Sequence, residues 1–402
     1  MKLFASYFKA LAWLMAALLA AVAAGCGGGG ESGSGSAVSG TGTLRVSLTD
    51  MPACGFDQVN VTVRKVRVHR SSSASATEGG WIDIPLNPPR KINLLDLANG
   101  VLDGLGEAPL PAGHYTQVRL VLDPNNGAGM ANTVVPTGGV ETPLVTPSAV
   151  QSGIKLVHPF DVAPGEQSDL VLDFNVCKSI VVRGNGTYAL KPVIKVVPIV
   201  LNGISGFVDA ALLGANVMVT AQQDGVVVQG TAPNPQTGEF LLARVAPGNY
   251  DVVFTANDRA TAVITAVPVD STTSTVAVST SAAPITLPVS GARLVSGTAT
   301  LNPASPDTAT SVAAKQALSG GLIVTVKSVV ADDMASGAYT LILPTDAPQL
   351  GAYSATLPVI LAAEPGAAGL YTIEASASGY ATQSAGVNIS AADAVQSFVL
   401  VP

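Results

Sequence analysis

The 402 residues carry 20 Lys and Arg against 27 Asp and Glu, a formal net charge of −7, and 48% of them are hydrophobic while only 12% are charged. Chains that stay disordered hold too little apolar material to form a core, so this composition excludes one. An acidic protein with a single short basic run also lacks the electrostatic footprint of a phosphate-backbone binder, and nucleic acid is not an expected partner.

Residues 1–26 read MKLFASYFKALAWLMAALLAAVAAGC: Lys2 and Lys9, an uncharged apolar run from Ala10 to Ala24, then small residues before Cys26. That order is the pattern of an export signal over residues 1–25. The run is shorter than the ~20 residues of a permanent membrane helix. The ending Ala23-Ala24-Gly25-Cys26 resembles a bacterial lipobox. The resemblance implies acylation of Cys26, attachment to the membrane and, because Gly27 rather than Asp follows, sorting to the outer membrane. An exported protein with a free Cys26 is the alternative. Residues 26–42 are then the lipidated Cys and a Gly/Ser tether, which as a flexible coil reaches roughly 20–24 Å.

Residues 43–202 are expected to form a β-rich first domain. Thr43–Asp50 and Val59–Val63 alternate apolar and polar residues, as half-buried strands do. The alternation slips one step between Val63 and Val66, across Arg64 and Lys65, which predicts a β-bulge. Further strands are expected at Tyr115–Leu122, Asp169–Val176, Ser179–Val182 and Thr187–Val200. The leucine spacing in Lys91–Leu105 suggests a short helix.

Cys54 and Cys177 remain once Cys26 is lipidated. In an exported, oxidising compartment such a pair is expected to be a disulfide, worth roughly 4–5 kcal/mol for a loop of this length in the chain-entropy model. No CxxC spacing suggests redox turnover.

The blocks GTLRVSLTDMPACGFDQVNVTVRKVRVHR, GGWIDIP, KINLLDLANG, LPAGHYTQVRLVLDP, IKLVHPFDV and DLVLDFNVCKSIV resemble, in order, the family known as domain of unknown function 4382. The resemblance implies an exported, often lipid-anchored β-rich protein and carries no established activity.

Residues 203–288 hold short Val/Thr-rich runs separated by Gly, Pro and Asn, the pattern of an antiparallel sandwich. Thr237-Gly-Glu-Phe-Leu-Leu-Ala-Arg-Val-Ala-Pro-Gly-Asn-Tyr250 resembles the carboxypeptidase-regulatory or transthyretin-like modules, which share a carbohydrate-binding-like fold. In them a tyrosine such as Tyr250 returns under the sandwich edge. Residues 291–402 echo these landmarks in order, with an apparent insertion around Thr345–Pro365. The fold class expected is mainly β: an N-terminal β-rich domain followed by two Ig-like or transthyretin-like antiparallel sandwiches, drawn out as a stalk.

Neither G-x-S-x-G nor H-E-x-x-H occurs. His69, His114 and His158 all fall in the first domain, where ordinary strand positions explain them better than a metal site. The oxygen-rich Asp123-Pro-Asn-Asn-Gly127 reads as a turn rather than a calcium loop. No catalytic residue, metal or cofactor is expected. The expected function is a non-catalytic, lipid-anchored envelope scaffold or interaction module that meets envelope proteins or polysaccharide. A carbohydrate-binding lipoprotein is the alternative, with Trp81, Tyr250, Tyr371 and Tyr380 as its candidate contacts, and an exported hydrolase is a second.

Overall fold

Along Phe56–His69 the valines at 59, 61, 63, 66 and 68 are all buried, and the sequence slip between 63 and 66 is a real bulge. Pairing with both neighbouring strands, Ile82–Asn93 and Gly113–Leu122, shifts register between Val63 and Lys65. The extra residue restores the buried side of the strand after a bend, so one apolar stripe covers its whole length.

The computed structural model describes residues 40–51, 55–126, 130–197, 199, 202–270, 274–305, 308–332 and 336–402. The export signal, Cys26 with most of the tether, and Cys54 lie outside them. Strand makes up 57% of the described residues and helix 6%, so the protein is mainly β.

In the first unit a four-stranded sheet runs in the order Ile194–Val197, Gln167–Asn175, Thr41–Met51, Asp103–Pro111. It packs Leu44, Val46, Leu48, Leu172 and Phe174 against the valine stripe of Phe56–His69. Two expectations here are corrected. Lys91–Leu105 is not a helix: Ile82–Asn93 and Asp103–Pro111 are strands, and only Leu94–Leu97 coils, as a 3-10 turn. Asn99 and Gly100 follow with φ of 57° and 77°, a left-handed pair that no helix continues through. Thr187–Val200 is not one strand either. Tyr188–Leu190 joins the larger sheet and Ile194–Val197 the smaller, with Pro192 between them, where the missing N–H breaks a ladder.

The second and third units share one pairing plan. In the second, Gly203–Phe207 lies between antiparallel Glu239–Ala243 and parallel Thr275–Ala277, facing a sheet ordered Val226–Thr231, Met218–Gln223, Gly248–Thr255, Ala262–Val269. In the third, Ala292–Leu301 lies between antiparallel Ala338–Pro344 and parallel Ala394–Val395 and Phe398–Leu400, facing Ile323–Val330, Thr310–Ala317, Leu370–Ala377, Gln383–Asn388. The segment read as an insertion adds its strand to the second unit while Leu350 still packs against the third unit's core. Its strand Gln349–Ala352 pairs in parallel with Ala262–Val269 and extends the second unit's sheet, while Val359 enters that unit's core.

A drawn-out stalk is not what forms, because every unit touches the other two. Asn99 bonds Thr231, Gln222 bonds Thr325, and the Gly184 N–H donates to Asp332. The buried Gln222–Thr325 contact would be left unpaired in an extended array, which disfavours one.

Candidate functional site

Trp81 sits where the loop after Phe56–His69 returns to the sheet. Its indole N–H donates to the Ser75 carbonyl at 2.9 Å. The guanidinium carbons of Arg67 and Arg119 lie 4.9 and 5.1 Å from its ring centroid, and the His69 ring 5.0 Å away. Stacked cations occupy the π surface that a sugar would need. Arg67 and Lys65 both reach Asp83 at 2.6 Å. Burial raises that carboxyl, but the hydrogen bonds and charges of the two cations outweigh it and hold the group below its ordinary value. The basic run is thus a paired strand face: Arg64 adds a contact to Asp123 at 3.2 Å.

The tyrosines are structural. The Tyr250 hydroxyl donates to the Ala246 carbonyl at 2.8 Å, four residues back, which makes it a tyrosine corner. Tyr115 does the same to Pro111 at 2.8 Å, and the sequence carried the signal: Pro111-Ala-Gly-His-Tyr115 parallels Ala246-Pro-Gly-Asn-Tyr250. Tyr371 is buried, its phenol pushed up by desolvation, and donates to Pro344; Tyr380, in the following turn, donates to Pro303. Burial removes Tyr250 and Tyr371 as ligand contacts, and Tyr371 and Tyr380 do not form one platform.

The histidines are not brought together as a site. His69 is buried and accepts from the Ser71 N–H, whereas His114 pairs with Asp161 at 2.8 Å on the neighbouring strands and His158 lies on Ile154–Val162. Among the described residues no group of three or more His, Cys, Asp or Glu is placed to hold a metal ion. Asn125 and Asn132 spend their amides on backbone groups at 123, 132 and 144, so the oxygens of that loop fix its shape. Cys177 lies in the short helix Val176–Ser179; its expected partner Cys54 is outside the described residues.

A polar cluster that the sequence did not signal lies between the first and second units. Thr49, Asp173 and Lys195 stand in register across three strands. Asp173 is 2% exposed, and the Gln229 amide, Lys195 and Arg244 face its carboxyl without closing a regular hydrogen bond. Desolvation pushes this carboxyl up to about 6 against the pull of those groups. Arg244 adopts φ 59° and donates to the Gly100 carbonyl at 3.0 Å. Close by, Asn99 joins the units by four hydrogen bonds: its N–H to Thr231, its amide to the Ala232 carbonyl, and its Oδ1 accepting from the Thr231 hydroxyl and the Leu241 N–H. These groups meet only because two units dock.

The fold and its sites define a mainly β protein of stacked sandwiches behind a β-rich first unit. Residues 41–192 match the family model described as a domain of unknown function (DUF4382), a description that names no activity. No curated protein matches the chain. Among solved structures it is similar to the Bacillus anthracis TIE protein, at 13% identity over 90% of this chain and 50% of that one, with a TM-score of 0.17. The chain therefore spans about half the length of that relative. It is also similar to a Streptococcal ancillary pilin (9% identity, 90% and 99% covered, TM-score 0.17) and to the Corynebacterium diphtheriae major pilin SpaA (10%, 90% and 100%, 0.20).

Proposed function

We propose that this chain is a non-catalytic, lipid-anchored protein of the cell envelope whose docked β units serve as scaffold and interaction surface. The observation that supports it is where the candidate ligand groups are spent: Trp81 under Arg67 and Arg119, and the hydroxyls of Tyr115, Tyr250, Tyr371 and Tyr380 on backbone carbonyls. Side chains already satisfied inside the fold supply rigidity rather than chemistry. The reading takes Cys26 as the acylated anchor, the Gly/Ser run as the leash and the outer membrane as the destination.

A bridge between Cys54 and Cys177 belongs to the same reading. Met51 and Asn175, three and two residues before the two cysteines in sequence, are neighbours at the end of a parallel strand pair. Non-reducing peptide mapping is expected to link them; alkylation of both in unreduced protein would contradict it.

The function is tested by fractionation and by cosedimentation. Cys26→Ala protein is expected to leave the membrane fraction, and its retention there would refute the anchor. No saturable binding is expected to insoluble polysaccharides such as peptidoglycan and starch. Binding that maps to one unit would favour the carbohydrate reading instead.

A further inference from the structure

The repeated pairing plan makes one difference between the second and third units informative. Ala262–Val269 in the second unit and Gln383–Asn388 in the third hold corresponding places, as the fourth strand in the order of the sheet that faces each unit's central strand. The first of these edges is occupied. Gln349–Ala352 lies along it in parallel, Ala262 to Gln349 through Thr265 to Ala352. The corresponding edge of the third unit is paired on its inner side alone, with Leu370–Ala377.

Nothing in the sequence of that strand guards it. Natural proteins blunt a free edge with charge, proline or a covering segment, since its unpaired N–H and C=O groups are a template for another strand. Gln383-Ser-Ala-Gly-Val-Asn388 holds no charge and no proline. Ser384, Gly386 and Asn388 are exposed, and a Cβ added at Gly386 would meet open space. Among the described residues, Ser384–Val387 make no backbone hydrogen bond outside the sheet; the adjoining Ala381 N–H and Gln383 amide instead reach the Val401 and Val399 carbonyls. The edge is thus pinned at its start and open beyond it.

We infer that the edge Gln383–Asn388 is a docking site for an extended, uncharged segment of a partner polypeptide, which adds to the sheet as a parallel strand. The occupant's chemistry is read from the occupied edge. There the added strand is Gln349-Leu-Gly-Ala352: small and aliphatic residues, no charge, and a glycine that the Ile360 carbonyl approaches closely. Main-chain hydrogen bonds supply the affinity in this mode of binding, and alternate side chains the selectivity. The assignment deepens the interaction reading above, and the two fail separately: fractionation reports on the anchor and scaffold, edge protection on this site.

The probe is a synthetic peptide of residues 347–355, APQLGAYSA, with blocked termini, added at millimolar concentration to the full chain while amide hydrogen exchange is followed. Exchange across 384–388 is expected to slow by roughly tenfold when the peptide stands about ten times above its Kd. The same peptide with Leu350→Pro, which lacks a ladder N–H, is expected to give no slowing. Gly386→Lys, at an open surface position, is expected to abolish it by placing a charge at the edge. Unchanged exchange with the native peptide would overturn the assignment. So would equal slowing in the Gly386→Lys protein, because binding would then lie elsewhere.

Discussion

Gln222 and Thr325 hold each other by a reciprocal pair of hydrogen bonds: the Gln222 amide donates to the Thr325 carbonyl at 2.7 Å, and the Thr325 N–H donates to Gln222 Oε1 at 2.8 Å. One lies in the second unit and the other in the third, and both are buried. Thr325 also donates from its hydroxyl to the Gly225 carbonyl at 2.7 Å. Gln222→Ala would strand a buried N–H and a buried C=O, at a cost of about 1–3 kcal/mol each. Calorimetry is expected to record a lower unfolding midpoint; an unchanged one would mean that the contact contributes nothing.

The two tyrosine corners make a matched pair of tests. Tyr115→Phe and Tyr250→Phe each remove one hydroxyl and leave the carbonyl of Pro111 or Ala246 without that donor. Each is expected to lower the unfolding free energy in urea by about 0.5–1.5 kcal/mol without altering the slope of the transition. The ring contacts of Tyr115 with Arg70 and Phe160 are kept by phenylalanine, so losses of similar size are expected at the two positions.

Asp173 sets a pH dependence with a definite sign. Its carboxyl is raised from 3.8 to about 6, chiefly by burial, so the folded chain binds the proton more tightly than the unfolded one. The stabilisation by that proton is complete below the unfolded value and is lost as pH rises through 6. Asp173→Asn, which mimics the neutral form, is expected to stabilise the protein at pH 7.5 by up to about 3 kcal/mol and to change little near pH 3.5. Urea unfolding at the two pH values checks it, and the reverse ordering would show that Lys195 and Arg244 overcome the desolvation.

Gly297 tests the joining of the last strands. It lies between the parallel pairings Ser296 to Val395 and Ala299 to Phe398, opposite Gln396 and Ser397, where the strand pairing is interrupted. The Gln396 carbonyl occupies the place a Cβ would take. Gly297→Ala therefore forces the C-terminal segment outward, with an expected loss of about 1–3 kcal/mol. Faster exchange of the amides in Phe398–Leu400 is the local signature; unaltered exchange there would place the strain elsewhere.

Much of this architecture is legible in local pattern. Period-two alternation marked Thr41–Met51 and Phe56–His69, and the slip at Arg64 and Lys65 marked the bulge, because a strand that must bury one side records every extra residue. Leucine spacing in Lys91–Leu105 misled, since apolar residues lining a corner between strands can imitate a helical stripe when the left-handed Asn99–Gly100 pair is overlooked. Trp81 and the tyrosines could be singled out as aromatic but not placed: whether a ring is a platform or a packing element depends on what covers it, and Arg67 and Arg119 come from different strands.

What the sequence alone determined was the β class, the strand periodicity and the turn glycines, all of which are set by neighbours a few positions apart. Tertiary structure alone decided that the units dock on one another, that Gln349–Ala352 completes a sheet belonging to the preceding unit, and that Asp173 faces Arg244 in a buried joint. Those relations join residues 71 to 103 positions or more apart, and their energy arises only when separate surfaces lose water together, which no local pattern records.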